Sequence, residues 1–268
     1  MKPRLGSILS ANTTQRKTKN SFGITTIIIF IFRKAELWIS RSNLFEQTFN
    51  ISLGIQALVI PSTTCSETAP SNALWNLPCS NPANINERLN LFSDWRGARP
   101  PGDGDAFWTL LTTCSTGSAV GLAWVGMMCK TDAVQGQNGA IISGTNIVAK
   151  TTTEWKVIAH EIGHTMGAVH DCTSDQCAAG MDSTSQCCPL TANTCDAQGK
   201  FLMNPSTDDR IHQFSPCTIG NICGAFQARS VIKSCLTSNR DVKTITENRC
   251  GNGIVEQGEE CDCGDAEA

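Results

Sequence analysis

The chain has 268 residues, 40% of them hydrophobic and 17% charged, with a net charge of -3 at pH 7. That length holds one large domain, or a domain with part of a second, and the apolar content supports a real core. A slightly acidic chain without a Lys/Arg cluster excludes nucleic acid as the natural partner, and fifteen cysteines exclude a reducing cytosol in favour of an oxidising, secretory setting.

The first twenty residues are polar and basic and read as a disordered tail, with Arg16, Lys17 and Lys19 solvated. Ile24–Phe32 is the most apolar run. Its nine residues are too few for a bilayer, which needs about twenty, so no membrane span is expected. The run reads equally as a buried strand or as a loose likeness of a secretory signal core without a cleavage site. Phe49 to Ile60 is β-branched, partly alternating and bounded by Pro61-Ser62, which predicts a strand. Asn86 to Trp95 predicts a helix capped by Asn84 or Asn86, with Leu89, Phe92 and Trp95 or Leu91 on one stripe. Pro100-Pro101-Gly102 is a loop. Ala106–Leu111, Ala119–Val125 and Ala140–Val148 predict strands, the last broken by Gly144. Thr151-x-x-Glu154 fits a capping box opening the next helix. From Cys172 to Cys223 the spacing of cysteines predicts little regular structure held by disulfides. Ala225–Leu236 predicts a last helix with Val231 and Ile232 inward. Strands and helices interleaved in this way indicate a mixed α/β sandwich.

The helix opened at Thr151 carries His160-Glu161-Ile162-Gly163-His164-Thr165-Met166-Gly167-Ala168-Val169-His170-Asp171. Two histidines four apart lie one turn above each other on one helical face, so both imidazoles reach one metal ion. Gly167 supplies a residue free to take φ > 0 where the helix must stop, and the chain then turns back to bring in His170. Three neutral nitrogens and one open position describe a catalytic rather than a structural zinc site. Glu161 sits beside the ligands, where a general base for water would be placed. Three of the chain's four histidines lie in this one motif.

Cysteines divide unevenly. Residues 1–249 hold twelve, enough for six bridges, and Cys250, Cys261 and Cys263 form an odd trio that reads as the start of a domain cut short. No cysteine pairs repeat at zinc-finger spacing, so structural zinc is the minority reading. The sequons Asn12-Thr13-Thr14 and Asn50-Ile51-Ser52 are compatible with glycosylation.

With the extended histidine motif, Asp171 and Phe201-Leu202-Met203-Asn204-Pro205, the chain resembles the metzincin peptidases, whose signature includes a Met-turn. Met203 is the preferred Met-turn residue, a soft apolar floor below the ligands, and Met181 is its competitor. The segments 48–54, Gly121-Leu122-Ala123-Trp124-Val125-Gly126 and Phe214-Ser215-Pro216-Cys217 narrow the resemblance to the adamalysin (reprolysin) branch and to ADAM proteins, fungal members above all. Residues 250–264, Cys-Gly-Asn-Gly through Cys-Asp-Cys-Gly, resemble the opening of an ADAM disintegrin domain. The absence of tyrosine excludes the Tyr zinc ligand of astacin-like and serralysin-like relatives.

The resemblance implies a zincin fold of the α/β (α+β) class, with a twisted, mixed five-stranded sheet, a zinc helix and a disulfide-rich C-terminal subdomain. Its antiparallel edge strand over the cleft would be Ala119–Val125, along which a protein or peptide substrate adds as a strand. The implied division is 1–38 unassigned, 39–245 metalloprotease and 246–268 disintegrin start. The family's first strand should precede Phe49, but 1–38 do not match it, so Ile24–Phe32 substitutes for it or the chain is a truncated product. Similarity also suggests the bridges Cys129–Cys235 and Cys172 or Cys177 with Cys217. The implied cofactor is Zn²⁺ on His160, His164 and His170 with Glu161 as general base. Ca²⁺ is a second candidate, on the hard oxygens of Asn252, Glu256, Glu259 and Asp262, against a solvated acidic loop. The activity implied is endoproteolysis of extracellular or cell-surface proteins by a secreted chain or a membrane-anchored ectodomain. An inactive or truncated adhesion protein is the alternative.

Overall fold

A sheet is assembled here from strands that bury both faces, and helices cover it on either side. The computed structural model describes residues 2–7, 44–59, 68–99, 105–180, 187–206 and 210–237. In chain order the strands are β1 (Lys2–Ser7), β2 (Gly54–Ala57), β3 (Phe107–Thr112), β4 (Gly121–Ala123), β5 (Val134–Gln135), β6 (Ile141–Ile142), β7 (Thr145–Ala149) and β8 (Leu236–Thr237). The helices are α1, described over 44–49, α2 (Ile85–Gly97), α3 (Glu154–Thr165), α4 (Ser174–Ala178) and α5 (Pro216–Gln227). The main sheet runs β2-β1-β3-β7-β4, with β8 paired to β1, and β5 and β6 form a separate hairpin. β2, β1, β3 and β7 are parallel and β4 runs antiparallel on β7, giving the mixed sheet with an antiparallel edge strand expected of a metzincin.

Period-two alternation sorts the core into two layers. Trp108, Leu110 and Ile147 face α2, where they meet Trp75, Leu89 and Phe92. Phe107 and Val148 face the opposite side, against Val157 and Ile162 of α3, Met203 and Phe214. On the first face Trp75, Phe92, Trp95 and Trp108 contact one another edge-on or stacked, and the Arg99 guanidinium caps Trp95 and Trp108. α2 starts at a full capping box: Asn84 Oδ1 accepts from Glu87 N–H and Glu87 Oε2 accepts from Asn84 N–H. The far end of the edge strand is anchored through Trp124, whose Nε1–H donates to Ser93 Oγ (2.9 Å) on α2, itself bonded to Thr145 of β7.

Several expectations need correction. The sequence suggested disorder over the first twenty residues, yet Lys2–Ser7 is a strand between β2 and β3. Backbone bonding on both edges outweighs the weak β-propensity of that segment. Ile24–Phe32 lies outside the described residues. Among the described residues of Phe49–Ile60, Gly54–Ala57 is the strand, because α1 continues to 49 and Asn50, exposed and at φ 55°, ends it. The capping box at Thr151 does not form: the N-cap is Thr153, so Glu154 occupies the first helical position, too near to reach back. The last helix among the described residues lies at Pro216–Gln227 rather than 225–236, started by a Ser215 N-cap with Pro216 next to it, and Ile232 points outward at 48% exposure.

The described disulfides are Cys79–Cys114, Cys129–Cys235, Cys172–Cys187, Cys177–Cys195 and Cys188–Cys217. Neither Cys172 nor Cys177 pairs with Cys217, contrary to the resemblance. Cys188 N–H donates to the His170 carbonyl and Cys172 N–H to the Cys188 carbonyl, which draws 187 and 188 beside 172. Cys188 is left facing Cys217 at the start of α5. Cys223 is free and exposed.

Candidate metal centre

α3 is buried along most of its length, and its register decides what it offers the cleft. Val157 and Ile162 go into the core while His160 and His164 share the face toward β4. The helix stops at Met166, and Gly167 follows at φ 109°. Gly167 N–H returns to the His164 carbonyl and Ala168 N–H to that of Gly163, closing the terminus with a residue that only glycine fits comfortably. The chain reverses and places His170 opposite the two helical histidines.

Nε2 of His170 lies 3.1 Å from Nε2 of His160 and 3.2 Å from Nε2 of His164. Four-coordinate zinc with nitrogens at about 2.0–2.1 Å separates its ligands by roughly 3.3–3.4 Å, close to these spacings. The protonated nitrogens point away: Nδ1–H of His160 donates to the Leu202 carbonyl (2.6 Å) and Nδ1–H of His164 to the Ala168 carbonyl (2.8 Å). Those bonds leave each Nε2 lone pair turned inward, the arrangement that orients metal-bound histidines. Burial holds all three imidazoles neutral. His160 is held well below the ordinary histidine range by burial and by the neighbouring imidazoles, His164 falls to about 4 for the same first reason, and His170 is also lowered. Three neutral nitrogens converging, without a fourth protein ligand among the described residues, could hold a divalent metal and fit zinc with an open position. A second sulfur cluster, Cys172, Cys177 and Cys195, is already committed to disulfides.

Glu161 is 4% exposed, and burial pushes its carboxyl well above the usual range. Its Oε2 has no hydrogen-bond partner among the described residues. Met203 is fully buried beneath the helix against Gly163, where a Cβ would stand 2.6 Å from the Met203 sulfur. The backbone around Met203 serves two histidines at once. Leu202 accepts from His160, and the Met203 carbonyl accepts from Asp171 N–H (2.9 Å), next to His170. The Asp171 carboxylate, wholly buried, accepts from Ser215 Oγ–H (2.5 Å), and Thr218 Oγ1 lies 3.4 Å away, tying the third histidine to the N-terminus of α5. Burial raises the Asp171 carboxyl and these hydroxyls pull it back.

A cleft of about 850 Å³ runs past the histidines. One wall is formed by Ala119, Val120 and the edge strand β4, and the other includes Thr151 to Thr153 and Asn204 to Ser206. Among the described residues that line it, the ionisable groups are Glu161 and the three histidines alone. The structure thus brings together His160, His164, His170, Glu161, Met203 and the edge strand. Met181, Asn252, Glu256, Glu259 and Asp262 lie outside the described residues, as do most of 1–38 and all of 246–268. Sequence reasoning missed the carbonyls of Leu202 and Ala168, the Ser215–Asp171 link and the close approach of Gly121 to Glu161. Only the Ser-Pro pair at 215–216 carried a local signal.

Residues 10–215 match the family model described as metallo-peptidase family M12, of reprolysin type. A disintegrin and metalloproteinase domain-containing protein B of Aspergillus fumigatus is 53% identical over 236 residues, 86% of this chain and 30% of the relative. The protein of the same name from Arthroderma benhamiae is 47% identical, over 85% of this chain and 30% of its own length. Zinc metalloprotease mde10 of Schizosaccharomyces pombe is 32% identical over 84% of this chain and 46% of its own. The chain therefore spans about 30% of the length of the fungal protein B relatives it matches.

Proposed function

The chain belongs to metallo-peptidase family M12, in its ADAM-type metzincin branch, and on that premise we propose that it is a zinc-dependent endopeptidase acting on extracellular or cell-surface proteins. The observation that carries the proposal is the convergence of three imidazoles, two of them oriented by backbone carbonyls, beside one buried carboxyl, at the floor of a cleft walled by an antiparallel edge strand. His160, His164 and His170 would hold the metal. When bound, zinc supplies Lewis-acid polarisation of the scissile carbonyl and acidifies a water.

The protein's own residues account for the rest. An extended peptide pairs with the 119–125 strand, whose outer backbone edge faces away from β7, and the register of that pairing sets which carbonyl comes over the histidines. Glu161, with its carboxyl raised by burial, takes the proton of the attacking water and hands it to the leaving amine. Met203 supports the ligands from below without binding the metal. No helix among the described residues is long and apolar enough to cross a membrane. The cysteine-rich composition supports action in an oxidising compartment. A calcium site on Asn252, Glu256, Glu259 and Asp262 and a disintegrin start over 246–268 complete the proposal.

Cleavage of a quenched peptide with and without a zinc chelator tests it. The wild type cuts and the chelator stops it. Glu161→Gln keeps its zinc by elemental analysis and loses roughly 10²–10⁴-fold in rate. His164→Ala loses the zinc itself. Absence of cleavage by a zinc-loaded wild type, or full activity in Glu161→Gln, refutes the reading, the former in favour of an adhesion role.

A further inference from the structure

Glycine inside a strand weakens it, so it calls for a reason, and Gly121 does not have the usual one. Its φ is not positive, unlike that of Gly117 and Gly126 nearby. The reason lies across the gap to α3. A Cβ at 121 would overlap Oε1 of Glu161 and stand 2.7 Å from its Cδ and 2.8 Å from Cγ1 of Val157. The edge strand is in register with β7, Gly121 opposite Val148, so its backbone is pinned and does not retreat freely. Val157 is β-branched and in a helix, hence stiff about χ1. The one mobile group at the contact is the carboxylate of Glu161. No hydrogen bond from the described residues holds Oε2, and packing sets where that end of the side chain sits.

We propose that Gly121 is a positioning residue for the peptidase: its missing side chain reserves the volume that the Glu161 carboxylate fills, and so aims the general base at the cleft. The proposal rests on Glu161 being that base. A methyl group at 121 leaves the sheet and the three histidines in place and displaces the carboxylate. A shift on the order of 1 Å in a catalytic group is enough to lower turnover about a hundredfold. Substrate pairing along the strand uses backbone groups, so the effect falls on kcat and not on KM.

The test is a four-way comparison of zinc-loaded wild type, Gly121→Ala, Glu161→Asp and the double variant. Zinc content, kcat and KM on a quenched peptide, and thermal midpoints are measured. Gly121→Ala keeps its zinc and its KM within about twofold, and its kcat falls roughly ten- to a hundredfold. In the Glu161→Asp background, where the side chain is one methylene shorter, the same alanine costs less than about threefold, the non-additivity expected of groups in contact. An unchanged kcat, an equal fall in both backgrounds, or a raised KM at constant kcat overturns the proposal. The midpoints read the same coupling without turnover: alanine lowers the midpoint more beside Glu161 than in the Glu161→Asp background, and equal shifts overturn the packing argument. A wild type that cuts nothing while the midpoints still couple refutes the peptidase reading and leaves the packing relation intact.

Discussion

Removing Cys129 and Cys235 together, as a double alanine variant, is expected to cost the fold more than removing any other described bridge. The bridge spans 106 residues, and a free loop of that length corresponds to about 4.8 kcal/mol at 25 °C in the chain-entropy model. Cys172–Cys187 and Cys188–Cys217 lie inside the loop and shorten it. The path from 129 to 172, across to 187 and 188, across to 217 and on to 235 is roughly 60 residues, which lowers the figure to about 4.3 kcal/mol. The Cys177–Cys195 bridge closes only 18 residues and is worth about 3 kcal/mol on the same basis. A domain of this size loses about 2–4 °C of melting midpoint per kcal/mol, so the long bridge is worth roughly 9–17 °C. The location adds to the consequence: the strap beginning at Gly126 donates to the His164 and Thr165 carbonyls, and Cys129 ends it. Scanning calorimetry of the zinc-loaded pair variant against a Cys177/Cys195 pair variant measures the difference. A drop below about 3 °C, or a larger drop for the short bridge, refutes the entropy argument.

Three further outcomes are expected. In the metal-free protein the lowered histidines stay neutral in the fold while the unfolded chain protonates them below about 6.5, so their contribution is present above that pH and fades as pH falls toward about 4. Glu161 acts oppositely: its raised carboxyl keeps a proton that the unfolded chain releases, so its contribution is lost as pH rises above the ordinary carboxyl range. Glu161→Gln removes the opposing contribution, and chelator-treated variant samples should gain stability from pH 4.5 to 6.5 more steeply than wild type in thermal melts; equal slopes contradict the burial of Glu161. Met203→Ala opens a cavity under α3 and should cost about 2–5 kcal/mol in denaturant titration, with weakened zinc retention. Ser215→Ala removes both the N-cap of α5 and the hydroxyl on Asp171, and should cost about 2 kcal/mol, against a few tenths for alanine at exposed Thr191.

What could be read from sequence was what repeats at short range. α2 announced itself by Leu89 and Phe92 on one stripe and an Asn at its start, and Asn84 does cap it. β3 and the edge strand lie within two residues of their apolar runs, the 140–148 run divides at Gly144 into β6 and β7, and the order of these elements with α3 indicated the mixed α/β class, while the metzincin fold came from the resemblance. The illegible parts depend on partners far along the chain. Lys2–Ser7 has no apolar pattern of its own and becomes a strand because β2 and β3 offer it two edges. Bridge connectivity around Cys172 follows from the short ladder of 170–172 with 188, which no cysteine spacing reveals.

The candidate metal centre divides the same way, and the division bears on its proposed chemistry. The i, i+4 spacing of His160 and His164 puts two rings on one face but does not choose which nitrogen each presents. That choice is made by the Leu202 and Ala168 carbonyls, one from a segment 42 residues away and one from the turn that Gly167 permits. The third histidine is placed by its neighbour Asp171, held between the Met203 carbonyl and Ser215. The carboxyl beside them is placed by a residue with no side chain at all, Gly121. The identity of the proposed ligands is thus local in sequence while their orientation is not. A substitution at Leu202 that shifts its carbonyl should therefore disturb metal binding as surely as one at His160, although nothing in the histidine motif points to it.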